Sequence, residues 1–202
     1  MDSRAQGRSS SSSANITYDL MTSDVVSLLD YLGLSKVHLV GWSDGATIGL
    51  NLAMNYPDRL YSLFAFGAHY KSSSGNDASM PPVFAAYLKR TQAEYEAFNP
   101  NKPYEILFND LLTMWVNYPK WTKVDFEKIP SDLPVWIVTS DHEEIINREQ
   151  PDMMASWIPQ AGELILPRTG HFALIQESTM FTTSLEQFLT EVTNTTTCSN
   201  YR

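Results

Sequence analysis

One stretch constrains this chain more than any other: Lys36-Val37-His38-Leu39-Val40-Gly41-Trp42-Ser43-Asp44-Gly45-Ala46. A short apolar run breaks off in a G-x-S-x-G pentapeptide and passes straight into a helical pattern, so it reads as strand, sharp turn and helix. That context is what a nucleophile elbow requires: a serine held in a strained turn, its hydroxyl exposed above the end of a parallel strand. Ser43 is therefore the candidate nucleophile, and Gly41 and Gly45 are expected to leave room for the close backbone approach.

The surrounding pattern alternates helix and strand. An amphipathic helix is expected from Thr17, a candidate cap, to Gly33, with apolar residues at Leu20, Val25, Leu28, Leu29 and Leu32. The strand over 36–41 should be buried on both faces, and its His38 is expected to be a structural histidine. The helix after Ser43 should stop at Pro57, and a second strand is read from Leu60 to Gly67. Residues 80–129 then interrupt the alternation with helical, aromatic-rich sequence, a candidate cap over an apolar pocket. Strands are expected again at 133–139 and 163–167, with a helix over 150–158 between them. A last helix carries the stripe Phe181, Leu185, Phe188 and Val192. Taken on composition alone, residues 1–14 are a serine-rich tail and 71–77 a loop.

Composition excludes several roles. The 202 residues are 43% hydrophobic, enough for one sizeable core, and carry a net charge of −9. Its 14 scattered Lys and Arg argue against nucleic acid as a partner. No apolar run approaches the ~20 residues of a membrane span. The single cysteine, Cys198, lies in a polar tail, which fits a reducing, cytoplasmic compartment. Two sequons, at Asn15 and Asn194, are discounted as chance triplets.

Beyond Ser43, chemistry-bearing residues fall just past strand ends. The run Ser140-Asp141-His142-Glu143-Glu144 offers a carboxylate, and His171 follows Gly170 after the last strand. In a parallel sheet such loops emerge at one edge and converge above it. A serine hydroxyl is a weak nucleophile near neutral pH, a histidine can take its proton, and a carboxylate fixes the imidazole tautomer. The chain order Ser, acid, His is the one α/β-hydrolases use.

On these residues the chain resembles the α/β-hydrolase-fold serine hydrolases, most closely the valacyclovir hydrolase (biphenyl-hydrolase-like) branch and related carboxylic-ester and C–C bond hydrolases. The resemblance rests on Val37-His38-Leu39-Val40-Gly41-Trp42-Ser43-Asp44-Gly45 and on Gly170-His171-Phe172. It extends to Asp2–Ser9, which is similar to a D-x-R-G-x-G-x-S loop with Ala5 and Gln6 in place of glycine and histidine. That loop normally follows the fourth strand, so the resemblance implies an α/β-hydrolase fold lacking its first strands, with about four parallel strands, flanking helices and a helical cap insertion. It divides the chain into a partial core over 1–70 and 131–193, a cap over 71–130 and a polar tail over 194–202.

The resemblance also implies roles. A G-x-x-D pattern aligned on Ser140–Glu143 puts the catalytic acid at Glu143, with Asp141 the alternative, while Glu144 and His142 read as solvated loop residues. The backbone N–H of Asp44 supplies one oxyanion donor. The second donor belongs to a loop this chain lacks, and losing such a donor costs roughly 10²–10³ in kcat. Trp42, His69, Trp115 and Phe172 are the candidate substrate-binding residues. The expected function is a serine hydrolase of small, apolar ester-type substrates acting through an acyl-enzyme, with no metal or organic cofactor. The competing expectation is a weakly active or non-catalytic hydrolase-fold fragment serving as a binding module. Dehalogenation fares poorly, because it needs a carboxylate where Ser43 stands. The strand over 36–41 should present an open sheet edge, through which the chain is expected to form a homodimer.

Overall fold

A computed structural model describes residues 2–10, 15–72, 80–99 and 103–194. The serine-rich 11–14, most of the loop expected over 71–77, Cys198 and nearly all of the polar tail lie outside the described residues. In chain order the elements are α1 (Tyr18–Tyr31), β1 (Val37–Trp42), α2 (Asp44–Asn55), β2 (Leu60–Phe66), α3 (Pro82–Phe98), α4 (Tyr104–Asn117), α5 (Lys123–Phe126), β3 (Val135–Ser140), α6 (Glu149–Trp157), β4 (Gly162–Leu166), α7 (Ala173–Gln176) and α8 (Ser178–Asn194). Helix α1 begins where its cap was expected: the Thr17 side chain accepts a hydrogen bond from Leu20 N at 3.1 Å.

The four strands form one parallel sheet in the order β1-β2-β3-β4. Side chains alternate across it, as the period of two requires. Leu63 and Ala65 of β2 face α2 and α6 in a core with Leu50, Ala53, Ile137 and Met154. Phe64 and Phe66 face α8, where they meet Phe188 and, at the rim, Phe181. Phe64, Phe66 and Phe188 are fully buried, each stabilising the fold by about 1.5–3 kcal/mol relative to exposure. The sheet thus sits between α2 and α6 on one face and α8 on the other.

The expectation that the first strand is buried on both faces needs correction. β1 is an edge strand: β2 pairs one side of it, and no other described strand pairs the other. Val37 and Leu39 pack against the α2 core, but Val40, on the opposite face, is 45% exposed. The α8 cluster takes in Phe64, Phe66 and Val138 of β2 and β3 and, from β1, Trp42 at its end, while Val40 stays exposed. His38 behaves as the structural residue it was read to be, bonding Ser62 Oγ through Nδ1 at 2.8 Å.

Helices α3, α4 and α5 all fall between β2 and β3, so the interruption of the alternation is a helical insertion. It rises from the carboxyl ends of the strands, on the side where Ser43 emerges. Residues 2–10 form a turn-rich loop rather than the loose tail their composition suggests. The Arg4 guanidinium holds the Asp24 carboxylate of α1 with both oxygens engaged, and Asn99 after α3 donates to the Gly7 carbonyl. Ala5, standing where the resembled loop has glycine, adopts φ +62°. An L-residue pays roughly 1–2 kcal/mol there, and the contacts around the loop hold it.

Candidate active site

Ser43 sits between β1 and α2 with φ +56° and ψ −122°, a left-handed strained conformation that non-glycine residues rarely adopt. Two anchors impose it. Its N–H donates to the Phe66 carbonyl at 2.9 Å, continuing the β1–β2 ladder by one bond, and its carbonyl accepts from Ala46 N and Thr47 N, opening α2. The chain must reverse between those bonds within one residue. Gly41 makes the reversal feasible, because a Cβ there would lie 2.5 Å from the Gly45 carbonyl oxygen. Gly45 is different from expectation: a Cβ there would meet nothing within 4 Å, so its backbone, not its missing side chain, is what crowds Gly41.

His171 and Glu143 come together from the loops after β4 and β3. His171 Nδ1 lies 2.9 Å and 3.0 Å from the two Glu143 carboxylate oxygens, and both side chains are 1% exposed. Glu143 is fixed in turn by Ile145 N and Ile146 N, which donate to its Oε1 at 2.9 and 3.2 Å. A carboxylate held by two backbone donors and an imidazole is a stiff support. Gly67, at φ +67° past the end of β2, leaves the space: a Cβ there would come within 3.0 Å of His171 Cε1. His171 Nε2, on the far side of the ring, has no hydrogen-bond partner among the described residues, so no hydrogen bond joins it to Ser43. Ser43 and His171 nonetheless line the same cavity. Long or absent catalytic hydrogen bonds are common without substrate.

The other residues of the acidic run separate. Asp141 does not approach His171; it is exposed and bonds the Thr169 backbone at 3.3 Å, and the Arg168 backbone N–H holds its carboxyl below the usual range. His142 is a solvated loop residue, as read. Glu144 is not: it is half-buried, and its Oε2 accepts the His171 backbone N–H at 2.9 Å. Two successive glutamates therefore grip His171, one by ring and one by backbone. The Trp42 indole adds a third hold, donating to the His171 carbonyl at 2.8 Å.

A cavity of about 570 Å³ opens above Ser43. Trp42, His69 and Trp115 line it, whereas Phe172 does not; buried at 6% exposure, it packs against Trp42 and Tyr87. The inserted helices contribute Phe84, Tyr87, Tyr95 and Leu111. Ser3, Gln6 and Gly7 of the N-terminal loop also line it, a contribution the sequence reading missed.

A polar chain runs beside the elbow. The Tyr18 hydroxyl lies 2.7 Å from Asp44 Oδ1 and 3.1 Å from His69 Nε2, and Thr47 Oγ1 lies 3.2 Å from His69 Nδ1. Burial, then the Asp44 charge and hydrogen bond, push the Tyr18 phenol well above its ordinary value, so it donates to the carboxylate. Burial lowers the His69 pKa from 6.5. The unfolded chain then binds a proton that the folded one refuses, so stability is lost as pH falls below about 6.5. Thermal melts between pH 7.5 and 5 are expected to show that decline, and His69→Gln should flatten it; an unchanged slope would remove His69 from the account.

Residues 1–106 match the alpha/beta hydrolase fold family. Among curated proteins, the "Putative carbamate hydrolase RutD" of Caulobacter sp. (strain K31) is 44% identical over 63 residues, 31% of this chain and only 24% of the relative. Among solved structures, a variant of the meta-cleavage product hydrolase from Pseudomonas fluorescens IP01 superposes with a TM-score of 0.70 at 16% identity, covering 89% of this chain and 74% of that one. The enol-lactonase from Burkholderia xenovorans LB400 gives 0.67 at 20% identity, covering 94% and 79%. At such identities these two speak for the fold, and with more than half of its length matched the chain belongs to the alpha/beta hydrolase fold family.

Proposed function

We propose that this protein is a serine hydrolase of small, largely apolar ester-type substrates, working through an acyl-enzyme on Ser43. The observation that carries the reading is the buried His171–Glu143 pair, whose unpartnered Nε2 shares a cavity with a serine in a strained elbow. In the proposed step Ser43 Oγ attacks the acyl carbon while His171 Nε2 takes its proton, and Glu143 stabilises the imidazolium. The negative charge that develops on the acyl oxygen is met by the Asp44 backbone N–H at the start of α2. His171 then returns the proton to the leaving alcohol, and water repeats the sequence to free Ser43. The α3 and α4 segments serve as a cap whose aromatic side chains hold the apolar part of the substrate. The relatives' names extend the candidate acyl groups to carbamates and lactones. Time-dependent labelling of Ser43 by a fluorophosphonate, together with p-nitrophenyl butyrate hydrolysis, tests the reading. Labelling without turnover would favour a binding module, and no labelling would remove Ser43 as nucleophile.

The partner we propose is a second copy at the β1 edge. That edge leaves its outward N–H and C=O groups without a described strand, beside the exposed Val40 and the half-exposed Tyr61. Such edges recruit strands. Light scattering after size exclusion is expected to give at least twice the chain mass, and Val40→Lys should lower it; a clean monomer for the unaltered chain would refute the dimer.

A further inference from the structure

Asp44 has a side chain as well as a backbone N–H, and the proposed hydrolysis uses only the latter. The carboxylate is half-buried at the first turn of α2, next to the strained Ser43. Two donors from two different helices reach it. Trp115 Nε1 of α4 lies 2.9 Å from Oδ2 and 3.1 Å from Oδ1, and the Tyr18 hydroxyl of α1 lies 2.7 Å from Oδ1. Tyr18 is itself backed by His69 Nε2, and His69 by Thr47 of α2, so the carboxylate ends a relay that begins and finishes on the same helix.

Proton positions in the relay are consistent throughout. The phenol, kept protonated by burial, donates to Asp44, so its oxygen accepts from His69 Nε2–H, which leaves Nδ1 to accept from the Thr47 hydroxyl. Every member is satisfied, and satisfied buried networks are rigid. The other α4 residues that line the cavity are Tyr104, Leu107 and Leu111, which pack among apolar and aromatic neighbours. Apolar contacts do not fix a register as a charged hydrogen bond does, because side chains can slide past one another without leaving a group unpaired.

We propose that the Asp44 side chain is a positioning residue that locks α4 onto the nucleophile elbow through Trp115, setting the height of the cavity roof and hence the acyl length accepted. The proposal rests on the reading of Ser43 as nucleophile only for its consequence in selectivity; the lock itself is a feature of the fold. Trp115 leans on a carboxylate that Tyr18 and the α2 helix hold still. Without the indole N–H, α4 keeps its ring in the cavity but loses the bond that fixes its position.

The test uses the full chain with Trp115→Phe, which keeps the ring, and Asp44→Asn, which replaces one acceptor oxygen by a donor. Hydrogen exchange followed by mass spectrometry reads the lock without any need for activity. A hydrogen bond to a charged group holds back opening by roughly 10-fold or more, so amides of 104–117 should exchange about 10-fold faster in both variants, with β2 and β3 unchanged. Where the chain is active, the ratio of kcat/KM for p-nitrophenyl hexanoate over acetate should change by at least about 5-fold in both, since acetate is too short to reach the roof. A general loss of stability would depress both esters alike. Unchanged exchange in α4 overturns the proposal. Exchange accelerated equally in β2 and β3 also overturns it, because the pair would then support the whole fold. An α4 that loosens in a chain Ser43 does not activate would retain the lock and reject the hydrolase reading instead.

Discussion

Ser43→Ala is expected to lower ester hydrolysis by about 10⁴–10⁶ with little change in thermal stability. If Ser43 is the proposed nucleophile, its loss removes the covalent route altogether, and what remains is whatever the cavity and backbone donors provide, on the order of 10³–10⁴ over water. The stability side of the expectation follows from φ +56° at Ser43. Alanine faces the same left-handed strain as serine, and the two backbone anchors, to Phe66 on one side and to Ala46 and Thr47 on the other, do not involve the hydroxyl. A fluorophosphonate should label the unaltered chain on Ser43, leave Ser43→Ala unlabelled, and label His171→Ala far more slowly. Labelling that persists in Ser43→Ala would sink the proposed nucleophile.

Much of this arrangement was legible because it depends on short-range sequence. A strand, a tight turn and a helix lie within Lys36–Ala46, and each has its own local signal: apolar run, glycine, helical spacing. The carboxyl-edge rule then places the loops after β1, β3 and β4 together with no further information. What stayed hidden depends on side-chain reach. Glu144 is adjacent to Glu143 and chemically alike, yet it reaches a backbone N–H of His171 that becomes available only where the loop after β4 turns beneath it. Tyr18 reads as an ordinary apolar position of an amphipathic helix; its hydroxyl matters only because Asp44 and His69, 26 and 51 residues away, meet it. Phe172 lies outside the cavity lining for the opposite reason. An aromatic beside a candidate base invites a pocket role, but once His171 is drawn toward Glu143 and Trp42, the next side chain turns into the packing behind them. The two-sided burial expected of β1 failed because an apolar sequence records what a strand can pack against, not which side of the sheet has a neighbour.

The acid is where sequence left two residues in play, and their surroundings now predict very different effects. Glu143→Gln is expected to reduce kcat by about 10⁴, the scale seen when a triad carboxylate becomes an amide. Glutamine fits the same space and can still accept from Ile145 N and Ile146 N through its carbonyl oxygen. That satisfaction places its NH₂ 3.0 Å from His171 Nδ1, where it competes with the carbonyl oxygen at 2.9 Å and favours a ring nitrogen that accepts rather than donates. Molecules with the proton on Nε2 cannot receive the Ser43 proton in the proposed step, and the neutral amide no longer stabilises the imidazolium in the rest. Asp141→Asn disturbs only an exposed carboxylate bonded to the Thr169 backbone, and should change kcat less than about 3-fold, the ordinary scale of a surface substitution. Steady-state rates on p-nitrophenyl butyrate across pH 6–9, with thermal melts of both variants, separate the two carboxylates. The reverse ranking would transfer the role to Asp141, and small, equal effects would mean that neither carboxylate orients His171.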